Sequence, residues 1–270
     1  MFGSWVRKSF LSYVSMLLLF ALVMAAGTSE AKKKTPPPAA TGLPARINEL
    51  AKQLPGVMLE DAGPILSQIQ SLVVNHMSEW MANRTPTDVE ARRELESVFS
   101  LLHYPLEGIP ATFAQPWKGQ MVIGAGYTFG WTDFDSQNVV MIFLSSAGKS
   151  HLATVTNFVP RVDLHYQALP QLAWEDCRVF IYGFRPGKSQ PRLSVILYSF
   201  DGQDLKSLWE SRDIYDGEIN FANGKVTISY LKEDEYVQAV ERGRKPSRYL
   251  ATYQLTPAGM QLLDEHVIPF

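Results

Sequence analysis

The stretch PRLSVILYSFDGQDLKSLWES, Pro191 to Ser211, decides how this chain is read. Two apolar-rich runs flank Asp201-Gly202, a dipeptide able to take the positive φ angles of a type I′ turn. The pattern predicts a β-hairpin. Similar units lie on either side. VVMIFLSSAGKSHLATV, Val139 to Val155, turns at Ala147-Gly148, and SRYLATYQLTPAGMQLL, Ser247 to Leu263, turns at Pro257-Ala258-Gly259. The turn glycines at 148, 202 and 259 are almost evenly spaced, so one supersecondary unit recurs along the chain.

Between the second and third units lies EINFANGKVTISY, Glu218 to Tyr230, whose Asn223-Gly224 is a strong type I′ signal. That turn sets Phe221 opposite Val226 and Ile219 opposite Ile228. Asn220, Ala222, Lys225, Thr227 and Ser229 fall on the other face, so one face is buried and one is wet. Val139 to Leu144 and Val195 to Tyr198 are apolar on both faces, as central strands covered on both sides would be. Residues 231–248 are dense in charges of both signs and predict an exposed loop or short helix between strands.

Upstream of Gly119 the period changes. Leu43, Ile47, Leu50 and Leu54 share one helical face. Pro64 opens a second helix with a stripe through Ile65, Ile69, Val73 and Met77. Thr87 with Glu90 fits a capping box for a third, whose apolar face is Leu95, Val98, Phe99 and Leu102. The second and third should form a helical hairpin. Three prolines in residues 104–118 predict an irregular connection to the β part. The fold class is therefore α+β: an N-terminal helical hairpin, then a mostly antiparallel β-meander of about ten strands built from repeated hairpins. The hairpins have the pattern of propeller blades, but closed propellers typically take four to eight blades. An open sheet, a sandwich and a barrel are equally compatible with the repeat.

Residues 1–31 read as an export signal. Arg7 and Lys8 supply the positive start, Leu11 to Ala26 the apolar run, and Ala25, Gly27 and Ala31 offer small-residue cleavage points. If the signal is not cleaved, residues 10–26 become a membrane anchor. Residues 32–44, KKKTPPPAATGLP, form a Pro/Lys-rich linker. The helical segment is 45–104 and the β-rich domain 119–270.

The chain has 270 residues, 46% apolar and 19% charged, with net charge −2. A core of useful size is available without staples, and no concentrated basic face for nucleic acid stands out. The single cysteine, Cys177, cannot form an internal disulfide and reads as a buried strand residue. Two GKS tripeptides, at 148–150 and 187–189, lack the upstream glycine spacing and following helix of a phosphate loop, so both read as turns. Gly124-Ala125-Gly126 fails as a dinucleotide loop because strand-like residues follow. It marks a close backbone approach or a bulge. The five histidines show no metal-ligand spacing.

One loop stands out as a ligand site. In residues 130–138, Trp131 offers a stacking face, and Asp133, Asp135 and Asn138 offer hard oxygens for a sugar or a calcium ion. An Asx-rich turn with its Trp tucked onto the sheet is the plainer reading. Asp213, Asp216 and Glu218 form a second acidic cluster that could supply an acid–base pair. The expectation is an exported, non-catalytic protein, secreted or of the cell envelope, with no cofactor. Its β-rich domain binds an envelope protein or a saccharide. The alternative is an exported polysaccharide hydrolase using loop carboxylates.

Overall fold

The computed structural model describes residues 42–54, 56–57, 61–103, 106–131, 136–159, 163–169, 175–222 and 224–268. Residues 1–31, read above as an export signal, lie outside these residues. Among the described residues no helix is long and apolar enough to cross a membrane.

Helices α1 (Leu43–Ala51), α2 (Gly63–Met81) and α3 (Asp88–Phe99) come first. α1 starts two residues inside the stretch read as linker, because Pro44 sits in its first turn, where the missing N–H has no partner to lose. α3 opens on the expected capping box: Thr87 Oγ1 accepts from Glu90 N at 3.2 Å, and Glu90 Oε2 accepts from Thr87 N at 2.8 Å. Glu94 of α3 meets His76 of α2 at 2.7 Å, tying the two helices side by side.

Twelve strands follow in three antiparallel, four-stranded sheets. The first holds β1 (Glu107–Trp117), β2 (Gln120–Gly130), β3 (Ser136–Ser146) and β4 (Lys149–Phe158). The second holds β5 (His165–Ala168), β6 (Cys177–Arg185), β7 (Arg192–Phe200) and β8 (Leu205–Tyr215). The third holds β9 (Glu218–Ala222), β10 (Lys225–Leu231), β11 (Arg248–Thr256) and β12 (Gly259–Ile268). Each sheet is a meander in chain order. One short helix, α4 (Glu233–Glu241), interrupts the third between β10 and β11.

Strand alternation builds a stack from these parts. On the first sheet, Ala125, Tyr127, Val139 and Met141 face the helices and pack on Ile69, Val73, Met77 and Leu95. Their neighbours Val122, Val140 and Ile142 point the other way, onto Val179, Ile181 and Ile196 of the second sheet. The reverse face of the second sheet, through Phe180, Val195 and Leu197, packs on Phe221, Val226 and Tyr253 of the third. The order is helices, sheet, sheet, sheet. Each fully buried Val, Leu or Ile contributes about 1.5–3 kcal/mol relative to exposure, so the two inner sheets, apolar on both faces, hold most of the core.

Several readings need correction. Residues 107–117 are strand β1 despite Pro110 and Pro116. β1 is an edge strand, where a missing N–H need not interrupt a ladder. Among the described residues the strands number twelve, against the expected figure of about ten. The Pro191–Ser211 hairpin does not turn on two residues. Phe200 pairs with Leu205 across a four-residue loop, and the Asp201 carboxylate accepts from the backbone N–H groups of Gln203 and Asp204, each at 3.0 Å. The side chain supplies this turn, a common role for aspartate. Two other hairpins follow the sequence closely: Phe221 pairs with Val226 and Ile219 with Ile228, and Ser146 pairs with Lys149 around Ala147-Gly148.

Candidate functional site

The loop singled out in the sequence does not assemble from the residues described. Trp131 is 1% exposed and its ring packs in the core between the helices and the first sheet. Neither face of the indole is open to a ligand. Asn138 is also fully buried, but it pairs with Thr128 on the opposite face of that sheet. Its amide donates to Thr128 Oγ1 at 3.0 Å and to the Asp163 carbonyl at 3.2 Å. The period-two alternation thus sends Trp131 and Asn138 to different sides. Asp133 and Asp135 lie outside the described residues.

The second acidic cluster is taken up by arginines. Asp213 accepts from Arg185 Nε at 2.7 Å. Asp216 accepts from Arg248 Nη1 at 2.5 Å, and Glu218 lies 3.6 Å from Arg248 Nη2. Carboxylates engaged with guanidinium groups, Asp213 with Arg185 and both Asp216 and Glu218 with Arg248, are poorly placed to share a proton as an acid–base pair. Among the described residues no cluster of His, Cys, Asp or Glu could hold a metal ion.

A different site forms where the second and third sheets diverge. β8 runs over β10 and β11, and near its end the two sheets open into a groove of about 320 Å³. Arg212, Asp213 and Tyr215 line one wall, Tyr230 and Tyr253 the other, and Glu233 at the start of α4 closes an end. The wall on β8 is irregular. Its register with β7 shifts twice, and Asp213 and Asp216 hold φ angles of 56° and 49°, in the left-handed region disfavoured for non-glycine residues. The Asp213 N–H donates to Ser194 Oγ at 3.1 Å. Bulges of this kind re-aim side chains, and backbone strain of this kind clusters at functional sites.

Tyrosines and pre-paired charges dominate the surroundings. Arg192 covers the Tyr215 ring at 4.9 Å, with Tyr236 of α4 at 5.3 Å. Tyr230 stacks on Tyr249 at 5.9 Å, and Lys232 lies over the Tyr249 ring at 3.8 Å. Glu233 accepts from Arg192 Nη1 at 2.9 Å, which holds its carboxyl below the usual range. Glu265 is likewise held low, by hydrogen bonds from Lys232 and Tyr230. Burial, and then the Glu265 hydrogen bond, push the Tyr230 phenol up. At neutral pH Glu233 and Glu265 are therefore ionised and the Tyr230 phenol is a neutral hydrogen-bonding group.

Sequence reasoning missed these residues, although a signal was there. Five of the eleven tyrosines, at 215, 230, 236, 249 and 253, fall in one short span. A larger groove, about 630 Å³, lies on the surface between α1 and α2, lined by Leu50 and Leu72 among Arg46, Glu49 and short polar side chains. It has neither the aromatic lining nor the strained wall of the inter-sheet groove.

Against this geometry, comparison with known proteins finds no matching family model, no matching curated protein and no matching solved structure. The fold and site define an α+β protein with three stacked antiparallel meanders behind a helical layer.

Proposed function

We propose that this chain is an exported, non-catalytic binding protein that takes a ligand or partner on its β-rich domain, in the groove between β8 and the third sheet. The observation that carries the reading is the groove itself: a concave, tyrosine-lined site on a rigid double-sheet support, with a strained strand as one wall. The apolar run and small residues of the first 31 positions support export. The pairing of Asp213, Asp216 and Glu218 with arginines weighs against the hydrolase alternative.

A thermal-shift screen of the full chain tests this. The panel holds neutral and charged oligosaccharides, envelope peptides, divalent cations and nucleotides. The expected result is a saturable rise in Tm with one class, because a ligand at 100 times its Kd adds about 2.7 kcal/mol of stability. That rise should vanish in Arg212→Ala and Tyr253→Ala. No rise with any class, or a rise indifferent to both substitutions, would overturn the assignment.

A further inference from the structure

We infer that the groove between β8 and the third sheet is built for a neutral, polyhydroxylated ligand, a short oligosaccharide. The inference rests on the binding reading above and adds the chemical class of the ligand.

Three features converge on it. The first is charge. Each ionic group at the groove already has a tethered partner: Arg212 with Glu210 at 3.0 Å, Asp213 with Arg185 at 2.7 Å, and Glu233 with Arg192 at 2.9 Å. A charged ligand must displace a partner held at high local concentration by the chain. A neutral hydroxyl displaces only water. It donates to a spare lone pair of a carboxylate that keeps its arginine, since each ionised carboxylate offers about four acceptor sites.

The second feature is the lining. Tyr230 and Tyr253, side chains with an apolar ring and a polar tip, line the groove beside Ile214 and Ile228. A sugar ring has the matching character, with apolar C–H faces and a rim of hydroxyls. Tyrosine supplies such contact with little loss of side-chain freedom. A purely apolar ligand would leave the Ser211, Asp213 and Glu233 oxygens at the wall without water, at a cost.

The third feature is size and shape. A volume of about 320 Å³ lies at the lower end of the ~300–1,000 Å³ typical of small-molecule sites. The groove is open rather than enclosed. It therefore suits one or a few sugar units with the rest of a chain running out into solvent.

Isothermal titration of the full chain tests the ligand class. The neutral probes are maltotriose, cellotriose, xylotriose and tri-N-acetylchitotriose. The controls are trigalacturonate, the chitosan trimer and an apolar tripeptide amide. The expected result is saturable binding of at least one neutral trisaccharide, weakened tenfold or more in Arg212→Ala. Arg212 is half exposed, so that variant should keep its wild-type melting curve. Tyr230→Phe, which keeps the ring, is the second variant and should weaken binding less than Tyr230→Ala. Groove-dependent binding of a charged or apolar control alone would overturn the saccharide inference and leave the groove assignment standing. Neutral-sugar binding indifferent to all three variants would overturn the groove as the seat. No binding by any probe would overturn the inference outright.

Discussion

Arg178 shows what one side chain does for this fold. It is 4% exposed, in a strand of the second sheet. It meets Asp176 at 2.9 Å and donates to the carbonyls of Thr256 and Pro257 at 2.7 and 2.8 Å. Those carbonyls sit at the β11–β12 turn, so one guanidinium fastens the third sheet to the second. Burial works against ionising Asp176, but hydrogen bonds from Ser199 and Arg178 outweigh it and hold the carboxyl low. Arg178→Ala strands a partly buried carboxylate and two carbonyls. It should cost about 3–5 kcal/mol, the usual result of removing one partner of a buried pair. Arg178→Lys should recover only part, because the three donors of an ammonium radiate from one nitrogen and cannot reach the separate positions that Nε, Nη1 and Nη2 serve. Urea unfolding midpoints measure both, and an unchanged midpoint for Arg178→Ala would refute the fastening role. Gly126 acts by absence: a Cβ there would lie 2.0 Å from Tyr166 Oη and 2.7 Å from the Val139 carbonyl. The glycine-alanine-glycine stretch is thus a close-approach site, as the sequence indicated. Cys177 is 1% exposed, and burial, reinforced by Asp176, pushes its thiol up to about 12. It is a core residue and not a nucleophile.

The hairpin is the element that repeats, and its turns obey local rules to different degrees. Ala147-Gly148 is a two-residue turn with φ of 50° and 79°. Alanine in that conformation carries a steric penalty of roughly 1–2 kcal/mol, while glycine there loses about 0.5–1 kcal/mol of unfolded-state entropy. The steric effect is larger, so Ala147→Gly should stabilise the chain slightly, by up to about 1 kcal/mol. Differential scanning calorimetry would read this as a Tm rise, and a fall would mean that the turn relaxes without cost. Turn position was legible in sequence at Ala147-Gly148 and at Asn223-Gly224, because only a few residue types take positive φ, but the two-residue turn at Lys118-Gly119 was hidden behind the prolines of β1. At Asp201 it was not. There the carboxylate closes a longer loop by hydrogen bonding, and the same Asp-Gly pair serves a different geometry. The proline-bearing strand β1 escaped for a related reason, since proline forbids a ladder bond only where the N–H would face a partner.

Stacking the layers creates a gradient of protection across the molecule. The first and second sheets are covered on both faces, whereas the third has one face in water. Edge strand β12 is exposed over most of its length, and a bulge beside Asp264 and Glu265 breaks its register. Bulges and charges on an edge discourage pairing with other chains. α4 buries no residue at all. Amide hydrogen exchange should therefore be slowest in β2, β3, β6 and β7 and fastest in α4 and β12. Exchange of β12 as slow as that of β3 would mean that something else covers this edge. Each sheet follows its neighbour in sequence and lies against it in space, so no long crossover is needed. The repeat was readable in the chain, but its outcome as an open stack of three was not.

The sequence alone determined what depends on neighbours a few residues apart. Alternation fixed which residues share a face, Thr87 and Glu90 set a helix start, and glycine-bearing turns set two hairpin registers. These follow from backbone sterics and short-range hydrogen bonds, which act the same way in any fold. Tertiary structure alone decided which faces meet. It buried Trp131 against helices and sent Asn138 to the opposite side of the same sheet. It brought Tyr215 of β8 together with Tyr230 and Tyr253 of the third sheet. Such meetings depend on how whole apolar faces exclude water against one another, a non-local choice that no short stretch of sequence encodes.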